Sequence, residues 1–211
     1  MQVDYVEEAL RELEARVNEV AAEIAEENYD VIQEPAFTSR LAQEITSEIR
    51  RHPINVGGVK IEVTSVDVPS LGSTMEKDIG ADLYISVVRR DKQPPASKGM
   101  LVQSKWDKTI GDKRLPGQMG QMIERTPDSY VWSFGPNGVM CGKVYKTPTG
   151  PSLDSFEPLG RLVANGLRCT AGDPRIGRDL RLSRKDAMRR KLRELQINSG
   201  LSFTLRNILR T

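Results

Sequence analysis

The sequence predicts an α/β chain with a mixed central sheet, preceded by a long helix and followed by a basic one. Three observations carry that prediction. First, residues 76–105 read as a hairpin. Residues 81–88 alternate Asp82, Tyr84 and Ser86 with Leu83, Ile85 and Val87; residues 91–99 are polar with two prolines and turn the chain; residues 100–106 form the returning strand. Second, the middle of the chain reads in order as helix, three strands, helix, strand. Third, charge is segregated. Residues 1–50 hold 13 acids and 4 bases, residues 51–160 hold 12 and 14, and residues 161–211 hold 4 and 13, within a chain of 29 acids and 31 bases. A basic end of this kind either meets something anionic or folds back on the acidic end.

Residues 3–28 form the clearest helix. Val6, Leu10, Leu13, Val17, Val20 and Ile24 recur at intervals of 4, 3, 4, 3 and 4, a heptad seam. Such a seam suits either packing on its own domain or a coiled-coil or partner-docking arm, and the second use predicts a homodimer. Pro35 is expected to stop this run, and Thr38 or Ser39 to cap a helix over 40–51 with Leu41, Ile45 and Ile49 inward. A strand follows over 59–68. Past the hairpin, Pro116 opens a helix to Arg125. Strands over 130–134 and 138–145 join through an Asn137-Gly138 turn. Residues 153–168 read as mostly helical and 170–181 as loop. Ser183 caps a helix to residue 196, and 201–209 is a short apolar piece that packs. The expected organisation is a helical arm over 1–36, a sheet core over 37–150 and a basic helical extension over 151–211.

Several classes are excluded. His52 is the only histidine, so histidine-based triads and histidine metal sites are ruled out. Cys141 and Cys169, 28 residues apart, make neither a metal spacing nor a disulfide framework, and a reducing cytoplasm is expected. No apolar run approaches the ~18–20 residues a membrane span needs, and the acidic start excludes a secretory signal. The segment GPNGVMCGK at 135–143 has the wrong glycine spacing for a phosphate loop, and Val144 stands where a hydroxyl should bind Mg²⁺.

The chemistry lies in the hairpin. Gln103 and Lys105 sit two apart on one strand, so both face the same side about 6–7 Å apart. Pairing of the two arms brings Asp82 beside them. An acid and a second oxygen ligand can hold a hard divalent cation, Mg²⁺ or Mn²⁺, which keeps several waters and takes one or two carboxylates from protein. Such an ion polarises a phosphoryl oxygen, and a neighbouring lysine adds positive charge where the phosphate gathers negative charge. The set is a minimal kit for cutting a phosphodiester.

Asp82 followed after a turn by Gln103-Ser104-Lys105 resembles the PD-(D/E)xK, or restriction-endonuclease-like, nuclease superfamily, in the glutamine variant of its Mrr-like branch. The resemblance covers roughly residues 38–145, where the element order matches the superfamily's αβββαβ core. It implies that Asp82 and Gln103 hold the metal and that Lys105 is catalytic. The usual second acid is an amide here, and Glu76, six residues before Asp82, is a candidate further ligand. An acid from the first core helix approaches the metal in some such nucleases, which makes Glu44 another. The resemblance also implies an endonuclease acting on nucleic acid, double-stranded DNA first, in restriction or anti-phage defence. Gln118 and Gln121 lie on the helix just beyond the site, where they contact phosphate or base edges or are ordinary surface amides. Arg184, Lys185, Arg189 and Arg190 give the last helix a basic face for phosphate, or one that balances the acidic first helix. The alternative function is a nuclease-like module that binds nucleic acid or a protein partner without cutting.

Overall fold

The computed structural model describes residues 4–28, 33–68, 79–136 and 138–208. Among these, nine strands form one mixed sheet and five helices cover its two faces. The chain begins with α1 (Tyr5–Asn28) and α2 (Glu34–Arg51), then β1 (Asn55–Val56), β2 (Val59–Asp67), β3 (Leu83–Arg89) and β4 (Ala96–Trp106). Helix α3 (Leu115–Arg125) leads to β5 (Ser129–Gly135), β6 (Gly138–Thr147), β7 (Gly150–Leu153) and β8 (Glu157–Pro158). The chain closes with α4 (Leu159–Leu167), α5 (Arg184–Glu194) and β9 (Ser199–Asn207). Glu76, and Asn137 of the expected turn, lie outside the described residues. No helix among the described residues is long and apolar enough to cross a membrane.

The sheet order is β1-β2-β9-β3-β4-β5-β6-β7, with β8 on β6. The hairpin forms as its alternation predicts, β3 antiparallel to β4 with Leu83 opposite Val102 and Arg89 opposite Ala96. Strand β4 then runs parallel to β5, joined by α3 as a crossover. The alternation understated the burial, because every residue of β3 is buried. Leu83, Ile85 and Val87 face a core built with α1, α2 and α4, while Tyr84 faces a second core built with α3 and α5.

The largest departure is the C-terminal segment. Residues 199–207 form a full central strand, antiparallel to β2 and parallel to β3, so the chain's end completes the sheet between them. Leu201, Phe203 and Leu205 point into the first core, and Ser202 and Thr204 take the other face. The stretch expected to be mostly helical over 153–168 is helical only from Leu159, with two short strands before it.

Helix α2 begins at Glu34 rather than beyond Thr38, because Pro35 occupies its first turn, where a missing N–H costs nothing. Thr38 is not a cap. Its hydroxyl donates to the Glu34 carbonyl at 2.9 Å and shares a hydrogen bond with the Ser104 hydroxyl at 2.7 Å.

Helix α1 uses its seam inside the chain. Leu10, Leu13, Val17, Val20 and Ile24 are buried in the first core against α2, α4 and β6. The approach to α4 is so close that a Cβ on Gly160 would collide with the Glu14 carbonyl, and Asn18 Oδ1 accepts from the Gly160 N–H at 2.7 Å. The seam therefore does not supply the self-association surface expected of it. Leu13→Ala should lower unfolding free energy by about 2–5 kcal/mol in urea titration; a solvated arm would lose within about 0.5 kcal/mol.

Asp173 ties the segment before α5 to the sheet. Its backbone exchanges hydrogen bonds with Gly99 at 2.9 Å each way, and its side chain accepts from Thr126 Oγ1 at 2.8 Å and Arg175 Nη2 at 2.7 Å. The Arg175 guanidinium, with its backbone N–H and the Thr126 hydroxyl, holds the carboxyl down at about 2. A carboxyl lowered on folding stabilises the protein above its ordinary titration range near 4, and that contribution fades as pH falls from there towards 2. Wild type should lose on the order of 2 kcal/mol from this group between pH 5 and 2. Asp173→Asn should lack that component of the slope in urea midpoints measured across the same range.

Candidate active site

The site sits where β3 begins and β4 ends. Asp82 is the residue before β3, and its N–H donates to the Val102 carbonyl at 2.8 Å, which fixes its backbone against β4. Asp82 Oδ2 accepts from Gln103 Nε2 at 2.5 Å and from the Ser104 N–H at 3.1 Å. Gln103 Nε2 also donates to the Ser104 carbonyl at 3.2 Å. Its Oε1 is buried and has no hydrogen-bond partner among the described residues. Asp82, Gln103 and Lys105 are 9%, 3% and 4% exposed, so this polar set lies inside the protein. Buried polar groups are nearly always satisfied, and an orphaned acceptor in such a set marks a place for a donor or a cation.

Lys105 does not enter the apolar interior. Its Nζ donates to Glu34 Oε2 at 3.3 Å and lies 3.8 Å from Asp112 Oδ2. Glu34 Oε1 accepts from the Trp106 N–H at 3.0 Å and from Thr109 Oγ1 at 2.8 Å. One carboxylate thus clamps the end of β4, the turn after it and the lysine. The aromatic rings set that clamp in place: Phe37, one helical turn beyond Glu34, packs against Phe134 at 4.2 Å and Trp106 at 5.2 Å between centroids. The Arg114 N–H and guanidinium, with Lys105 adding to them, hold the Asp112 carboxyl below its usual range.

The acid that α2 brings to this end of the sheet is therefore Glu34, not Glu44. Glu44 lies ten residues further on, about 15 Å along the helix. Placing the helix start at Pro35 would have identified Glu34; Asp112, in a polar stretch read only as a connection, carried no spacing signal. Gln118 and Gln121 do lie against the segment entering the site. Gly80, at φ +69°, faces them so closely that a Cβ there would sit 2.5 Å from the Gln118 carbonyl and 2.9 Å from Gln121 Oε1. The residues of α5 lie elsewhere on the same face: α5 packs over β2 and β9, and α3 packs over β4 to β7. Each arginine proposed for phosphate there already has an acid. Arg184 pairs with Glu62, Arg189 with Asp186 at 3.8 Å and Arg190 with Asp179 at 3.8 Å. Lys185 is exposed on the same helix.

Among the described residues no group of three or more His, Cys, Asp or Glu side chains is placed to hold a metal. The donors at Asp82 and Gln103 nonetheless fit a hard cation in type: one carboxylate and one neutral oxygen with no donor opposite it, the remaining positions being left for water. No protein-family model matches the chain, and no curated protein or solved structure matches it to a significant degree.

Removing the clamp tests this geometry without reference to activity. Glu34→Ala removes the carboxylate that the Trp106 N–H, the Thr109 hydroxyl and Lys105 share, leaving the hydroxyl with the Trp106 carbonyl and the lysine with the more distant Asp112, and should cost about 1–3 kcal/mol in urea unfolding. Glu34→Gln keeps an acceptor oxygen and should cost less.

Proposed function

We propose that this chain is a divalent-metal-dependent endonuclease with a restriction-endonuclease-like core, cutting nucleic acid, with double-stranded DNA as its first substrate. One observation carries the reading: the aspartate just before β3 and a glutamine of the antiparallel β4 are in contact, and a lysine follows two residues later on the same face of β4. The run of elements from α2 through β2, β3, β4 and α3 to β5 supports it, since, apart from the two-residue β1, it has the αβββαβ order, with β9 added between β2 and β3.

In this reading Asp82 and Gln103 hold Mg²⁺ or Mn²⁺, and the bound ion supplies Lewis-acid polarisation of the scissile phosphate and acidifies a water. Lys105 presents an ammonium group to the negative charge that develops on phosphorus-bound oxygens. Glu34 and Asp112 are positioning residues that aim the ammonium. Gln118 and Gln121 contact the nucleic acid beside the cut, and restriction of foreign DNA in the cytoplasm is the role that suits the activity.

One observation favours a second reading, a nuclease-fold module that binds without cutting. The Gln103 amide donates to the Asp82 oxygen a metal would use, so the pair is already satisfied at that atom.

Cleavage of supercoiled plasmid in Mg²⁺ or Mn²⁺ separates the two. The nuclease reading expects cutting that falls about 100-fold or more in both Asp82→Ala and Lys105→Ala. Binding with no cutting in any divalent metal would establish the module instead. Gln103→Glu gives an independent readout. Two facing carboxylates repel, so this variant should melt lower than wild type in EDTA and recover when Mg²⁺ is added. A melting curve unmoved by Mg²⁺ would argue against a metal at this pair.

A further inference from the structure

Away from the site just described, the segment between α4 and α5 buries an arginine that has no counter-ion among the described residues. Gly177 presses so tightly on β4 that a Cβ there would collide with the Ser97 carbonyl, and the next residue's N–H donates to Ser97 Oγ at 2.9 Å. That next residue, Arg178, is 3% exposed. Its guanidinium makes one long hydrogen bond, Nη2 to Thr204 Oγ1 at 3.4 Å, while Nε and Nη1 have no partner among the described residues. Burial, then the charges of Arg184 and Arg90, pull it down to about 10, so it remains protonated at neutral pH. A buried cation of this kind is costly unless something anionic answers it.

A cavity of about 260 Å³ lies against this arginine, lined also by Asp179, Arg181, Arg190, Lys191 and Glu194. The charges on its rim are matched. Arg181 pairs with Asp179 at 2.9 Å, Arg190 lies 3.8 Å from the same carboxylate, and Lys191 pairs with Glu194 at 2.9 Å. Four cations against two carboxylates leave the lining at net +2, and the surplus includes the buried guanidinium.

We propose that this cavity, lined by Arg178 at its base and by Arg181, Arg190 and Lys191 at its rim, is a binding site for a small phosphate dianion, inorganic phosphate or a phosphate monoester. Three arguments select that chemistry. A dianion neutralises the lining. Guanidinium donors match phosphate oxygens in pairs better than they match a halide. The cavity is smaller than the ~300–1,000 Å³ typical of drug-sized ligand sites, which suits a compact group. The site is separate from Asp82 and Gln103, and the proposal does not rest on the nuclease reading.

Calorimetric titration of the full chain with inorganic phosphate, at ionic strength held constant with sodium chloride, tests it, with thermal melting alongside. Saturable binding of one phosphate per chain is expected. A Tm rise of about 3 °C or more is expected at phosphate tenfold above Kd. Arg178→Gln and, separately, Arg190→Gln should each weaken binding tenfold or more. Where Arg178→Gln does not fold, the Arg190→Gln result on exposed α5 decides alone. No saturable heat beyond the chloride control, or unchanged affinity in the folded variants, overturns the proposal. Displacement of phosphate by a DNA duplex lacking terminal phosphates also overturns it, because the site would then belong to a nucleic-acid backbone.

Discussion

Helices on both faces of the sheet leave its central strands with no wet side. β3 is buried along its whole length, β4 from Gly99 to Trp106, and β9 from Ser199 to Leu205. Apolar residues meet that demand on the first face, where Leu83, Ile85, Val87, Phe203 and Leu205 share one core. Polar residues on these strands must instead find partners inside the protein, and this is where the candidate chemistry gathers. Asp82, Gln103 and Lys105 stand where β3 begins and β4 ends, at a corner closed by α2 and the approach to α3. Each sits in the interior because the strand carries it there, and each is held by groups from the elements around that corner.

Much of the fold could be read from the sequence because local patterns agreed with tertiary use. The 4-3 spacing of α1, the alternation of residues 81–88, Pro116 at the start of α3 and Ser183 capping α5 each named an element that formed near the expected place. What the heptad seam could not say is which surface it covers. The same spacing serves a partner helix or the chain's own sheet, and the choice is revealed at Gly160, the point of close approach, which lies 142 residues from its partner Asn18. The last strand failed for a related reason. Leu201, Phe203 and Leu205 alternate with Ser202 and Thr204, a readable period of two, yet nothing local tells a C-terminal piece that β2 and β3 have left a gap between them.

The site was legible in part for the same physical reason. Asp82, Gln103 and Lys105 follow from a hairpin register and a period of two, so geometry close in sequence located them. Glu34 and Asp112 reach Lys105 from 71 and 7 residues away through a helix end and a turn. The helix end was misplaced because Pro35 reads as a stop when it is in fact a first-turn residue. That single shift exchanged the acid at the start of α2 for one about 15 Å further along it.

The two buried cations on the second face of the sheet have opposite settings, and the contrast bears on what each can do. Lys105 faces two carboxylates, Glu34 and Asp112, so its charge is answered within the fold and its direction is fixed. An ammonium so held is arranged before any ligand arrives, which is the condition under which a fixed charge contributes most to a transition state. Arg178 pairs with no carboxylate among the described residues and has two other arginines near it. Its charge lowers the stability of the fold until an anion enters, and the free energy of binding then includes relief of that penalty. Preorganisation suits a group that acts on a reacting phosphate; an unanswered charge suits one that retains an anion.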